Sequence, residues 1–470
     1  MTAGAATDTS ILDRLDAELG PGVVSRENDL RARHRDDWSG LATALPLAVA
    51  RPRTVAEVSR FLALCHAHRQ PVAVQGGLTG LCGSAGTRQG EIALSLSRLA
   101  AVEHVGGGAM VVEAGMTVAA AQEAARAAGA ELGIDFGARG SATIGGAIST
   151  NAGGLHVIET GMTRAQVLGL EVVLADGRVL SELTAMVKVN SGFDLKQIFI
   201  GAEGALGVVT RACLALRPHR AGLATALLSL GDPATVPAAL AAARAAFGPD
   251  LSAFEAMWPD YVTTMSARTP FALPLAGPLL VILEARAATS EAAMARMEDF
   301  LEASVEAGFL VDAVVAQSQA QADALWKLRD EGPAMYGQIF TDTVPFDVSV
   351  PLSALVEASD AIAAPYRDAP GLFPLSYGHI GDQNLHFVLG ADRPLSPAEK
   401  SAVQAHVYDT VIAHGGAISA EHGIGFLKKP YLQRARSDVA IALMKDLKRA
   451  FDPHNILSRG RVFDLDPDGT

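Results

Sequence analysis

Cysteine is scarce: three residues in 470, Cys65, Cys82 and Cys213, scattered and without CxxC spacing. Such a set gives no thiolate metal cluster and suits a reducing compartment. No apolar run reaches the roughly 18 uninterrupted residues of a membrane helix. The alanine-rich "VPAALAAARAAF" is too short and carries an arginine. The amino-terminal "MTAGAATDTSILDRLDAELG" has no basic segment followed by an apolar one, so no secretory leader is expected. Positive charge is the minority sign, 38 Lys and Arg against 51 Asp and Glu. The resulting net charge of -13 argues against nucleic acid and anionic membranes as partners. Low-complexity tracts are missing as well. These absences leave a cytoplasmic enzyme or binding protein.

Apolar residues, at 49%, are plentiful, and the length suits two or three domains. Residues 1 to about 218 hold short strand-like runs, "PVAVQ", "EIALSL", "AMVVEAG" and "LGLEVVLADGRVL", joined by glycine-rich loops. From about 219 to 330 a pattern repeats. "ATALLSL", "ATVPAALAAARAAF" and "SAFEAMW" read as strand, helix, strand, and so do "PLLVILEAR", "SEAAMARMEDFLEASVEAG" and "FLVDAVVAQ". Two such units predict a ferredoxin-like or related sheet with helices on one face. Further on come a helix near 397 to 413 and a last amphipathic helix, "SDVAIALMKDLKRAF", which "DPHN" stops.

Between these helices and the repeat lies "GHIGDQNLH" (378–386), with two histidines around turn residues. A two-residue tip at Asp382 and Gln383 would oppose His379 to His386, with Cβ atoms about 5 Å apart on one sheet face. Such a pair can grip a metal ion or simply pack.

Two glycine runs dominate the first zone: "PVAVQGGLTGLCGSAG" (71–86) and "GARGSATIGGAISTNAGG" (137–154). Glycine at this density lets backbone N–H groups converge on a pyrophosphate. Neither run is a P-loop, since no Gly-Lys-Ser/Thr follows, and neither is a convincing dinucleotide fingerprint. Two runs in one zone favour a large phosphate-bearing cofactor over ordinary loops.

With "IFIGAEGALGVVT" (198–210) added, these motifs stand in the order seen in a known group. The chain resembles FAD-linked oxidases of the vanillyl-alcohol oxidase and para-cresol methylhydroxylase superfamily. "GHIGDQNLH" and "AEHGIG" are similar to its D-2-hydroxyacid dehydrogenase branch, which includes D-lactate and D-2-hydroxyglutarate dehydrogenases. The resemblance spans residues 40 to 462. It implies an α+β protein with a two-part FAD-binding domain of the para-cresol methylhydroxylase type (1–218). A ferredoxin-like cap domain carrying substrate and metal (219–425) would follow, then a helical return onto the FAD domain (426–470).

By motif match, the FAD site would comprise Gln75, Gly76, Gly77, Leu78, Thr79, Gly80 and Leu81 in the first run. Gly140, Ser141, Ala142, Thr143, Gly145, Gly146, Ser149, Asn151, Ala152 and Gly153 would follow in the second, and Glu203, Gly207, Val208 and Val209 in the third motif. Leu78 stands where many relatives have glycine, and "SRGR" replaces a usual "NPGK", placing Ser458 where an asparagine would contact the flavin. No histidine or tyrosine matches a covalent attachment point, so FAD is expected to be non-covalent.

The resemblance also implies that His379, His386 and Glu421 bind a divalent metal, zinc or manganese. Two histidines and one carboxylate leave coordination positions open for catalysis. His422 would be the base, with an imidazole pKa near 6.5 suited to neutral pH; its other role would be to orient Glu421. Arg329 in "LWKLRD" would hold the substrate carboxylate through its planar fork.

In hydroxyglutarate-type relatives three further polar anchors bind substrate, but Pro333, Pro345 and Val388 stand there in this chain. A monocarboxylic 2-hydroxy acid is therefore expected, because an unpaired buried carboxylate is strongly disfavoured. Electrons would pass to a quinone, an electron-transfer flavoprotein or a similar acceptor. An oxidase reducing oxygen and a flavin-free metallohydrolase are the other enzyme readings. A homodimer and a peripheral membrane location are further expectations.

Overall fold

The structure, a computed structural model, describes residues 5–41 and 43–465. The extreme ends of the expected first domain and last segment lie outside the described residues. Two compact units emerge. One takes in the chain up to Gly153, Gly161–His219 and the stretch from Glu421 onward. The other takes in Gly154–Thr160 and Arg220–Ala420. Residues 421–425, expected with the cap, thus fall in the first unit, and the short piece 154–160 falls in the second.

The first unit has a four-stranded sheet in the order Val24–Ser25, Val49–Ala50, Ile92–Ser95, Val72–Gln75. Val72 also bridges Leu457 in parallel, so the carboxyl-terminal stretch extends this sheet. Helix Val55–Ala67 starts at Thr54, whose hydroxyl accepts the Glu57 N–H at 3.1 Å. It buries Val58, Phe61, Leu62 and Cys65 at helical spacing. A second, antiparallel sheet has five strands in the order Val102–Gly106, Ala109–Glu113, Val208–Ala215, Val167–Val173, Val179–Glu182. One apolar cluster includes Phe61, Leu94, Val112, Val172 and Leu457.

The second unit has one antiparallel sheet of seven strands. Its first four lie in the order Leu310–Val315, Gly222–Leu230, Leu279–Ala287, Leu251–Met257, with Val236–Phe247 and Ser290–Glu306 as the connecting helices. This is the ferredoxin-like interleaving. The third strand inserts between the first two, so neither strand–helix–strand unit pairs with itself.

Beyond Leu251–Met257 the sheet continues with Leu372–His379, Asn384–Ala391 and Asp342–Ser349. Helices cover both faces rather than one. Tyr261 and Met265 of Pro259–Arg268, and Leu325 and Leu328 of Gln319–Asp330, cluster with sheet residues Leu227, Met257 and Ile282. Burial on both faces is why "LSAFEAM" and "LLVILEARA" read as continuous apolar runs.

Candidate active site

In the second unit the histidine hairpin has a register two residues away from the expected one. His386 faces Tyr377 on one side and Asp347 on the other, while His379 faces Glu255. The two-residue tip is replaced by a turn of 3-10 helix, Ile380–Asp382, and Gln383 adopts left-handed φ of +71°. A shift of two preserves the face, because side chains alternate along a strand. His379 and His386 are therefore diagonal neighbours, with ring centroids 5.1 Å apart.

Glu255 organises this face. One carboxylate oxygen lies 2.7 Å from His379 Nδ1 and the other 2.9 Å from Arg329 Nε. Glu255 is 1% exposed. Burial alone would raise its pKa, but the charges and hydrogen bonds of His379 and Arg329 outweigh burial and hold it below the usual range. A carboxylate only accepts, so His379 carries its proton on Nδ1. In the neutral ring Nε2 presents a lone pair, to which Arg329 Nη2 donates at 3.2 Å. A metal-binding histidine needs that same arrangement.

Arg329 is 6% exposed, at the end of helix Gln319–Asp330, and its guanidinium lies 4.8 Å from the Tyr377 ring centroid. Glu255 escaped the sequence reading because "SAFEAMW" passes for a plain strand. A lone acid inside an apolar run was the available signal.

Asp347, equally buried, accepts the Ala420 N–H at 3.2 Å, and its Oδ1 is 4.0 Å from His386 Nδ1. The side-chain amide of Asn384 is buried with no protein partner on either atom. Next to His386 the same face turns apolar: Pro345 pairs with Val388, which clusters with Leu375, Tyr377 and Phe340. Pro333 lies in the short 3-10 turn Gly332–Met335 after the Arg329 helix.

In the first unit the two glycine runs meet backbone to backbone. A Cβ on Gly77 would fall 2.0 Å from Ser141 O, and one on Gly76 would fall 2.6 Å from Thr143 Oγ1. Leu78 takes left-handed φ of +59°, a conformation that glycine would adopt without strain. Thr143 Oγ1 accepts the Gly146 N–H at 3.2 Å, and Ser149 Oγ donates to Gly145 O at 2.7 Å. Gln75 is spent on the loop itself, donating from Nε2 to His34 O and Ala85 O. Asn151 Oδ1 accepts the Arg164 N–H at 2.9 Å.

Gly207 is there for packing, since a Cβ would come within 2.6 Å of Val172. Val208 and Val209 are core residues of their strand. Thr79, Gly80, Leu81, Gly140 and Ala142 lie along the same two runs, and Ala152 N–H closes the turn onto Ala147 O. The backbone-lined cradle fits a pyrophosphate-bearing group.

The carboxyl-terminal stretch returns to this unit. Glu421 lies over Gly153, where a Cβ would stand 2.8 Å from its Oε1, and His422 follows. Glu203, at φ +51°, donates its backbone N–H to Ser149 O at 2.8 Å; its carboxylate accepts from the Ser84 hydroxyl and from the N–H groups of Ile424 (2.8 Å) and Gly425 (3.0 Å). Burial pushes the Glu203 carboxyl up, against those three hydrogen bonds. Ser458, also at positive φ, is buried with no hydrogen-bond partner on Oγ. Among the described residues no helix is long and apolar enough to cross a membrane.

Residues 46–181 match the FAD binding domain family, and residues 221–462 match the family of FAD linked oxidases, C-terminal domain. A D-2-hydroxyglutarate dehydrogenase of Xanthomonas citri pv. viticola is 37% identical, across 97% of this chain and 98% of that protein. The mitochondrial D-2-hydroxyglutarate dehydrogenase of Bos taurus is 34% identical, across 93% and 80%. Among solved structures, p-cresol methylhydroxylase with substrate bound superposes with a TM-score of 0.76 at 17% identity, covering 99% of this chain and 98% of that one. Alkyldihydroxyacetonephosphate synthase gives 0.72 at 16%, covering 96% and 85%. These two share the fold. The chain belongs to the FAD-linked oxidases and is an FAD-dependent oxidoreductase of their D-2-hydroxyacid dehydrogenase branch.

Proposed function

We propose that the protein oxidises a monocarboxylic D-2-hydroxy acid to the 2-oxo acid, with non-covalent FAD and with zinc or manganese held by His379, His386 and Glu421. The observation that carries this reading is the buried Glu255–His379–Arg329 constellation. Glu255 fixes the His379 tautomer and orientation, as carboxylates do for metal-binding imidazoles. When bound, the ion supplies positive charge that lowers the pKa of the α-hydroxyl, and bound FAD supplies the acceptor for the hydride leaving Cα. The cradle residues of the two glycine runs hold the cofactor through backbone groups.

Arg329 binds the substrate carboxylate. Its Nε and Nη2 are engaged by Glu255 and His379, and Nη1 makes no hydrogen bond among the described residues. That remaining edge donates to substrate, while Glu255 keeps the guanidinium from swinging away. His422 takes the hydroxyl proton on a ring nitrogen as the hydride departs, so one C–H and one O–H bond break and a C=O double bond forms. The reduced cofactor is reoxidised by a quinone, an electron-transfer flavoprotein or a similar acceptor.

The two relatives above are named for a dicarboxylate, but neither Pro345 nor Val388 has a side-chain donor to offer a second carboxylate. The three buried thiols agree with a reducing, cytoplasmic setting.

Anaerobic mixing of the holoenzyme with enantiomers of lactate, longer 2-hydroxyalkanoates and 2-hydroxyglutarate tests this function. Flavin bleaching by D-monocarboxylates is expected. Bleaching by none of them would overturn the function, and fastest bleaching by 2-hydroxyglutarate would overturn the substrate class alone.

A further inference from the structure

Glu203 sits between two stretches of the first unit that the proposed function uses separately. One is the far end of the first glycine run, 82–86; the other is the segment 423–427 that follows His422. Its carboxylate takes the Ser84 hydroxyl from the former and the N–H groups of Ile424 and Gly425 from the latter. The same two stretches are zipped by backbone: Cys82 O accepts from Phe426 N at 2.9 Å and Leu427 N at 3.2 Å. A Cβ on Gly425 would fall 2.1 Å from Cys82 O, and one on Gly423 would fall 2.9 Å from the Glu203 carboxyl carbon. Side chains meet there as well: Cys82 Sγ lies 3.5 Å from Gly423 O, and Arg461, bonded to Ser84 O and Gly86 O, lies over the Phe426 ring.

Two features argue that the carboxylate is retained for this clamp. Glu203 is 7% exposed, and a buried carboxylate is costly unless several donors meet it. It also occupies a left-handed backbone position between Gly201 and Gly204, both at positive φ, where glycine would be unstrained. Strain and burial are both accepted to keep an acid whose oxygens are spent on two loops.

We propose that Glu203 is a positioning residue that couples cofactor occupancy of the first glycine run to the placement of His422. This rests on the reading that FAD lies on that run and that His422 is the base. Ordering of 76–86 by the cofactor fixes Ser84 and Cys82. Glu203 passes that order to Ile424 and Gly425, two and three residues from the imidazole. Glutamine cannot reproduce the clamp, because its amide end would point a donor at a donor.

Hydrogen exchange on FAD-stripped and FAD-loaded protein tests the coupling, with steady-state kinetics alongside. In the natural protein, FAD is expected to slow exchange at 76–86 and at 423–427 together. In Glu203→Gln, FAD should still slow 76–86, while its effect on 423–427 falls about tenfold. The kcat should fall at least as far, with KM little changed. Ser84→Ala, which cuts the carboxylate's tie to the first loop and leaves the Cys82 backbone contacts, should also lose the FAD effect at Ile424 and Gly425 and serves if Glu203→Gln does not fold. Retention of that effect in either folded variant, or kcat within twofold of the natural protein, would overturn the proposal. If FAD slows neither stretch in the natural protein, the cofactor seat itself fails and the coupling falls with it. If it slows 76–86 alone, only the coupling is lost.

Discussion

Replacing Glu255 by glutamine removes one charge and almost no volume. In the native protein the carboxylate holds two buried partners, Arg329 at 2.9 Å and His379 at 2.7 Å. The amide can still accept from one of them, but its NH2 then faces the other, and the guanidinium keeps an uncompensated charge at 6% exposure. Breaking a buried pair in this way costs about 3–5 kcal/mol. For a unit of roughly two hundred residues that is a fall in Tm on the order of 10 °C. Losing the acceptor at Nδ1 also frees the His379 ring, and such losses weaken metal binding by roughly 10–100-fold.

Scanning calorimetry measures the first effect and competition with a chromogenic zinc chelator the second. A Glu255→Gln protein with Tm within 2 °C of the natural one and unaltered zinc affinity would refute the organising role given to Glu255. Destabilisation with intact zinc affinity would leave Glu255 as a partner of Arg329 alone.

His422→Asn is expected to keep FAD and metal but to lose roughly 10²–10⁴-fold in kcat, measured with a dye acceptor. Chelation of the holoenzyme should abolish turnover while the flavin absorbance stays, and added zinc or manganese should restore the rate; full activity after verified metal removal would contradict the metal's role. Glu399, in the capping box of helix Pro397–Ala413, has its pKa lowered to about 2 by Arg393 and by Ser396. Its folded pKa lies below the unfolded value of about 4.3, so the unfolded state binds the proton more readily in between. The contribution is complete above about pH 4.3 and lost as pH falls through about 2, so unfolding curves of the natural protein and Glu399→Gln should converge with acidification.

The strands and helices of the repeat were legible because their apolar periods are long and regular. The interleaved strand order followed from pairing each unit with the other. The second helical layer was not legible, since a run buried on both faces looks like one buried on either. At the hairpin, residue types announced a turn but not its length: Gln383 absorbs a left-handed angle that glycine or asparagine would have signalled. That moved the hairpin partner of His386 from His379 to Tyr377, while Glu255 pairs with His379 from the strand on the other side. Arg329 on its helix differs in no way from an exposed arginine until the buried acid opposite it is known. Gly76 and Gly77 were legible as a cradle through composition, whereas Glu203 was legible only as part of a motif. Its clamp needs backbone donors from a segment more than two hundred positions later, and no local pattern encodes those.

The parallel bridge between Val72 and Leu457 has a bearing on how this chain is made. Strand Val72–Gln75 leads into the first glycine run, yet its outer neighbour lies 385 positions further along the chain. During translation at roughly 5–20 residues per second, that edge stays open for on the order of a minute while the second unit emerges. Closure over so long a span is slow. A nascent chain truncated before Asp452 would therefore leave an unpaired edge beside the glycine run proposed to hold the cofactor. Cofactor uptake would then be a late step that waits on the stretch around Leu457.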